Sequence, residues 1–267
     1  MDPISPLVLA LHNQGRPRVW SLVITIFGDA VQHRGGRIAT LRMQKLLGRI
    51  GIEPGAMRTA LSRLAGDGWV VRDRAGRNTY YQLSPLGKAE FQPAAQQVYA
   101  PPRRNDNHAW TLAIGDTRPT GAIRVGTNAY LLRKDSGQSL PDHLCLTGTL
   151  DSFPPKFAAR AIAADHHAAL LALHDDIDNL NAPGLSPLDA MAARILLIHR
   201  WRRIVLRFPE IPRQLLPESL PPCDIRARVA GAYADLLPAS EQWLDQSGPD
   251  MQPMPAPDPA FHRRFQP

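Results

Sequence analysis

The chain has 267 residues, 44% of them hydrophobic, with 31 Lys+Arg against 24 Asp+Glu. That length supports two or three domains with real cores, and no run approaches the roughly 18 apolar residues that a membrane-spanning helix needs. Cys145 and Cys223 are far apart and suggest neither a disulfide framework nor a zinc site.

The N-terminus has an acid at its second position and no basic leader, and Leu7 to Leu11 is too short for a secretory segment, so a cytoplasmic location is expected. The charge is uneven. Residues 1–91 hold 13 Lys+Arg and 6 Asp+Glu, the whole net charge of +7, while the remainder has 18 of each. A basic excess confined to one unit is the footprint of a nucleic-acid binder.

Pro17 suits the first turn of a helix in which Val19, Trp20, Val23, Ile26, Phe27, Ala30 and Val31 recur at helical spacing, up to Gly35-Gly36. Thr40 is suited to cap a second helix with Met43, Leu46, Leu47 and Ile50 on one face, ended by Gly51. A short turn leads to Pro54 and a third helix ending near Gly66. There Met57, Ala60, Leu61 and Leu64 must face a core, so Arg58, Thr59, Ser62 and Arg63 point outward. Guanidiniums and hydroxyls can reach phosphates or base edges; the bland alternative is a solvated helix face. The preceding helix and tight turn favour a recognition helix.

Trp69 to Arg72 and Thr79 to Leu83 read as paired strands, with Trp69 and Val71 on one face and Tyr81 and Leu83 on one face. Their loop turns at Gly76 and carries Arg74 and Arg77. Such a loop is either a charged surface hairpin or one that reaches phosphates or the minor groove. Ser84-Pro85 opens a last helix through Leu86, Ala89 and Phe91.

These residues resemble the N-terminal region of the PaaX-type transcriptional regulators. The resemblance is carried by Phe27-Gly28-Asp29, by Gly51-Ile52 and Met57 through Leu64, and by Gly68-Trp69, Gly76-Arg77 and Tyr80-Tyr81. It implies a repressor of phenylacetate catabolism that binds operator DNA as a dimer and releases it when phenylacetyl-CoA, an aryl-CoA thioester, binds.

Tyr99 to Asp106, with its Pro-Pro pair, reads as a linker. Trp110 to Ile114, one or two segments within Ala122 to Leu132, and His143 to Leu150 are strand-like, and Pro155 to Ile177 reads as an alanine-rich helix. The resemblance implies a ferredoxin-like middle domain, but only Gly115 to Gly121 stands where that fold places its first helix. His166, His167 and His174 read as surface positions at a helix end; the alternative is a metal site, since His167 and His174 stand two turns apart. Asp116, ending the first strand, is one carboxylate without a partner, and related ferredoxin-like nucleases place a metal-holding acid there. Leu188 to Phe208 is a strong helix whose stripe of Met191, Ile195, Ile198 and Val205 includes Arg202, a cation needing a carboxylate, a phosphate or an escape to water. Arg200, Arg203 and Arg207 fall on the outward face. Ile198 to Arg203 and Phe208 to Pro217 resemble the family's C-terminal domain. Arg226 to Trp243 reads as a helix partly broken at Pro238.

The expected fold is α+β. It comprises an N-terminal winged helix-turn-helix domain (1–98), a linker (99–107), a reduced ferredoxin-like middle α/β domain (108–180), a C-terminal helical domain (181–246) and a Pro-rich disordered tail (247–267). With the resemblance, the expected function is a homodimeric, sequence-specific regulator on double-stranded operator DNA, a repressor of an aromatic-acid operon. Arg58, Thr59, Ser62 and Arg63 would enter the major groove, and Arg74 and Arg77 would hold the backbone or minor groove. His199, Arg202 and Arg203 would bind the acyl-CoA effector. No catalytic residue, metal site, cofactor or membrane partner is expected, and no enzymatic activity. Two alternatives stay open: a metal-dependent nuclease or accessory factor using the ferredoxin-like domain, and a winged-helix protein-interaction module.

Overall fold

The computed structural model describes all residues except 1, 14, 16, 77, 103–108, 152–153, 155–156, 158–160, 181–183, 213–214, 249–250 and 267. It is a mixed α and β protein with two small antiparallel sheets set around a helical core.

A helix not anticipated from the sequence comes first: α1, Ser5–Asn13. Its Leu7 and Leu11 are buried with Ile4 in the main core, so a run too short for a leader is an amphipathic docking helix. The next helix, α2 (Val19–Ile26), continues as a π-helical turn over Phe27–Val31, all of it buried. A short strand, β1 (Arg37–Ala39), precedes α3 (Thr40–Arg49) and α4 (Pro54–Gly66). Thr40 does not cap α3. Its Oγ1 donates to the Thr79 carbonyl at 2.9 Å, tying the helix to the hairpin.

Between α3 and α4 the backbone closes tightly. Gly51 has φ +81, the Ile52 amide donates to Leu47 at 2.9 Å, and the Gly51 amide donates to Gly48 at 2.9 Å. A left-handed residue here lets the last carbonyls of α3 find donors while the chain reverses, and glycine alone does this without strain. Pro54 then starts α4 where its missing N–H costs nothing.

The hairpin is longer than expected. Strands β2 (Val70–Ala75) and β3 (Asn78–Leu83) pair up to Ala75 opposite Asn78, and β1 adds to β3 to give the order β1-β3-β2. The inward face is also shifted by one residue on β2. Val70 is buried against Leu83, while Val71 is exposed, because Gly68 at φ +73 turns the chain before the strand begins. The helix α5 (Pro85–Val98) follows, its Ser84 hydroxyl accepting from the Gly87 amide at 2.9 Å.

The second sheet holds β4 (Trp110–Ile114), β5 (Ile123–Arg124), β6 (Ala129–Arg133) and β7 (Leu144–Gly148) in the order β5-β6-β4-β7, every pair antiparallel. Only loop and turn residues join β4 to β5, as the sequence suggested, and one short 3-10 turn lies between β6 and β7.

Among the described residues, the α-helices that follow are α6 (Ala164–Asp178), α7 (Pro187–Val205) and α8 (Ile225–Asp245), and a short 3-10 turn lies at Phe261–Arg263. Helix α8 is continuous through Pro238, so the expected break does not occur. Helix α7 is the hub of the molecule. Every residue from Ala190 to His199 is buried, and it packs on α1, α2, α3, α5, α6 and α8. Ala190, Ala192 and Ala193 let these neighbours approach closely. Residues 1–98 and 181–246, read from the sequence as separate domains, therefore share one hydrophobic core. Nor do residues 251–266 fit the expected disordered tail: Met251, Met254, Phe261, Arg264 and Phe265 are buried against the rest of the chain, while Pro253, Pro255 and Pro259 are exposed.

Candidate nucleic-acid interface and ligand cavity

The face of α4 divides as its spacing requires. Met57, Ala60, Leu61 and Leu64 are buried, while Arg58, Thr59, Ser62 and Arg63 are exposed on the opposite side. Thr59 Oγ1 donates to the Gly55 carbonyl at 3.1 Å, and Arg63 approaches Asp67 at 3.7 Å. That pair is exposed and worth well under about 1 kcal/mol, so a stronger anion can displace it. The hairpin extends beside α4 with Arg72 and Arg74 exposed on one face of β2. Arg77 lies outside the described residues. Sequence reasoning missed Arg37 at the start of β1, whose guanidinium lies over the Tyr80 ring at 4.7 Å and approaches Asp73 at 3.7 Å. No sequence signal marked it, because β1 is only three residues long.

Several other basic residues of this unit are turned inward. Arg34 pairs with Glu241 and Asp245 of α8. Arg42, almost fully buried, donates to the carbonyls of Trp243, Gln246 and Gln252, and burial lowers its pKa to about 10. Arg49 pairs with Asp2 and Asp189. The basic excess read from the sequence is thus divided between an outward face and an internal seam.

His199, Arg202 and Arg203 do not line one pocket together; Arg202 alone borders a small cleft of about 100 Å³ beside Ile24, Gly28 and Phe91. His199 is buried with Nδ1 3.0 Å from Thr25 Oγ1, and burial, followed by the cations of Arg202, Arg203 and Arg200, pushes its pKa down to about 3. Arg202 donates to the Ser21 carbonyl and to Thr25 Oγ1, both at 3.0 Å, which fastens α7 to α2. Arg203 is exposed. Arg207 is exposed, as expected, and pairs with Asp165 of α6, whereas Arg200, expected outward, is largely covered and bonds to Asp176 of α6.

The opposite side of α7 lines a cavity of about 540 Å³, bounded by α5, α6, α8 and the second sheet. Trp110, Leu132, Trp201, Ile204 and Phe208 supply apolar walls. Arg226 lies 5.0 Å from the Trp201 ring centroid and donates to the Gln97 carbonyl at 2.8 Å. Arg133 lies over Trp110 and 3.5 Å from Glu210. His166 and His174, read as surface residues, are buried in the wall. His166 stacks on Phe208 at 4.4 Å, and burial lowers its pKa to about 4, while His174 Nδ1 lies 2.6 Å from Arg228. The sequence concealed this site because its lining comes from many separated stretches between Gln96 and Arg226. Asp116, the candidate metal holder, accepts from the Asn128 amide at 2.8 Å, and no group of three or more His, Cys, Asp or Glu among the described residues is placed to hold a metal. No helix among the described residues is long and apolar enough to cross a membrane.

Beneath α2, the fully buried Asp29 joins four segments. Arg194 of α7 approaches it at 2.7 Å and Arg264 at 3.2 Å, and the hydroxyls of Tyr99 and Tyr233 donate at 2.7 and 3.1 Å.

Comparison with known proteins matches two segments. Residues 18–87 match the model of the PaaX-like protein family, and residues 157–246 match that of the PaaX-like protein C-terminal domain. The chain is 27% identical over 282 aligned positions to the transcriptional repressor PaaX of Escherichia coli strain K12, covering 92% of this chain and 89% of that protein. Among solved structures, an uncharacterised protein, Rv0674 of Mycobacterium tuberculosis, shares the fold with a TM-score of 0.50 at 16% identity, over 84% of this chain and 97% of the other.

Proposed function

This chain belongs to the PaaX-like protein family, and we propose that it is a sequence-specific DNA-binding repressor of an aromatic-acid catabolic operon. The single observation that carries the reading is the exposed quartet Arg58, Thr59, Ser62 and Arg63 on a helix whose other face is fully packed. We read α3, its tight turn, α4 and the β2–β3 hairpin as a winged helix-turn-helix, with α4 in the major groove and Arg72 and Arg74 at the backbone or minor groove. We read the second sheet as a reduced ferredoxin-like sheet, a reading that its order β5-β6-β4-β7 and antiparallel pairing support. Two copies would read half-sites about 34 Å apart or a multiple of that. The edge strand β7 exposes Leu144 and Leu146, an apolar edge that a second copy would cover.

The test is selection of bound duplexes from a random pool, followed by affinities at fixed salt. Arg63→Ala should weaken the selected duplex by about 1–3 kcal/mol and relax one base position, whereas Arg74→Ala should weaken all duplexes alike. Equal affinity of both variants and the parent for the selected duplex would remove this map of the interface.

The releasing ligand is an aryl-CoA thioester, held in the cavity between α7 and the second sheet rather than at His199, Arg202 and Arg203. About 540 Å³ lies within the range of small-molecule sites, with tryptophan and phenylalanine walls for an aryl group and Arg226 and Arg133 for anionic groups. Release follows if the ligand prefers the conformation that does not bind DNA. Calorimetry with phenylacetyl-CoA checks it: Trp201→Ala should weaken binding at least tenfold, and unchanged affinity would move the site elsewhere.

A further inference from the structure

Residues 251–266 lie beyond both family-matched segments, yet they hold the N-terminal unit at defined points. On the turn before β1, Arg34 Nε donates to the Pro255 carbonyl at 2.8 Å, the Asp258 amide donates to the His33 carbonyl at 2.9 Å, and His33 Nδ1 lies 3.0 Å from the Asp258 carboxylate. A Cβ at Gly35 would lie 2.7 Å from Pro255, so chain and turn are in close contact. On α3, Arg42 donates to the Gln252 carbonyl at 2.9 Å. Further along, Arg264 reaches under α2 and donates to the carbonyls of Gly28 and Asp29, both at 2.8 Å, and to the Tyr233 hydroxyl at 2.7 Å.

The same segment is fixed to the other side of the seam. The Met254 amide donates to Leu244 of α8, and the Phe265 amide donates to the Tyr99 carbonyl, each at 2.9 Å. Phe265 sits against the rings of Tyr99 and Tyr233 at centroid distances of 5.5 and 5.3 Å. Its φ of +57 is a left-handed conformation that a bulky residue adopts only when its surroundings fix it. Tyr99 stands where α5 ends, between Gln97 and Ala100, whose carbonyls accept from Arg226 in the cavity wall.

We propose that residues 251–266 are a strap that locks the unit carrying α3 and α4 in one orientation against α8, with Arg264 as its anchor and the exposed His33–Asp258 pair as its outer latch. A guanidinium bonded to backbone carbonyls of another segment fixes direction as well as distance. In a two-copy regulator that direction sets whether both α4 helices meet their half-sites together. This functional side rests on the DNA-binding reading above; the locking itself does not.

Hydrogen–deuterium exchange on the full chain tests the lock. Arg264→Gln should raise exchange at residues 33–49 at least tenfold and leave strands 110–148 as in the parent. Asp258→Asn, at an exposed position, should raise it at residues 33–36 by a smaller factor. Unchanged exchange at residues 33–49 in both variants would overturn the strap, as would an Arg264→Gln increase spread evenly over the chain, the mark of a plain core residue. A second readout uses the duplex selected by the parent and a random duplex of equal length. Arg264→Gln should lose at least tenfold in their affinity ratio while affinity for the random duplex changes less than twofold, since the charges of α4 are untouched. An unaltered ratio would deny the strap its part in reading. If the parent itself fails to discriminate duplexes, the DNA-binding reading falls, and the exchange comparison still decides the lock.

Discussion

At the scale of single residues, the chain places ionisable groups where burial makes them consequential. Phe27-Gly28-Asp29 supplies a core ring, a contact and a charge. A Cβ at Gly28 would fall 2.1 Å from the Phe91 ring, and Asp29 pairs with Arg194, which Glu241 also meets, and with Arg264 inside the core. Removing one member of a buried charge cluster leaves the others uncompensated, so Asp29→Asn should cost about 3–5 kcal/mol in urea unfolding. A cost below about 1 kcal/mol would show that the cluster is not a keystone. His199 gives a pH dependence. Its pKa falls from 6.5 to about 3 in the folded chain, so the unfolded chain takes the proton first. Its contribution is complete above pH 6.5 and is lost as pH falls from there towards 3, by about 1.4 kcal/mol per unit. Unfolding free energies at pH 7.5 and 5.0 should differ by about 2 kcal/mol from this residue. His199→Gln should flatten the slope by that amount, and an undiminished slope would place the titration elsewhere.

At the scale of elements, the DNA contact proposed for α4 rests on charge as well as shape. Arg58→Ala and Arg63→Ala should each reduce the slope of log affinity against log salt by about one if each guanidinium displaces one counterion. A base-edge contact without a phosphate partner would leave the slope unchanged. This helix was legible in the sequence because its apolar and polar residues separate cleanly at helical spacing, while β4, β6 and β7 were legible as short runs rich in apolar residues bounded by turn residues. The register of β2 was not, since Gly68 resets the phase and Trp69, the largest apolar side chain nearby, precedes the strand. Nor was the role of α7: its arginines look alike in sequence, yet Arg194 is buried in a charge cluster, Arg202 ties α7 to α2 and Arg203 faces solvent. The cavity escaped for a different reason, because periodicity describes one element and this site is made by several.

At the scale of the whole molecule, the decisive feature is that the unit with the basic face and the helical unit around α7 share one core. The linker composition and the charge step near residue 91 argue for independence, but Arg34, Arg42 and Arg49 spend their charges on a seam with α7, α8 and residues 246 and 252. Small domains with a common core unfold together, whereas separate ones respond separately to local damage. Leu47, fully buried in α3, gives a direct test through tryptophans in different parts of the fold: Trp69 before β2, Trp243 in α8 and Trp110 in the second sheet. Leu47→Ala should cost about 2–5 kcal/mol. Followed in variants that each retain one tryptophan, the urea midpoints reported by Trp69 and Trp243 should fall together. The Trp110 midpoint should move less, because the second sheet packs its own small clusters around Trp110 and Ala113. If the Trp69 midpoint falls while that of Trp243 stays, the shared core does not couple the two units. A signal that altered α3 or α4 would then have no mechanical route into α7 and the cavity it lines.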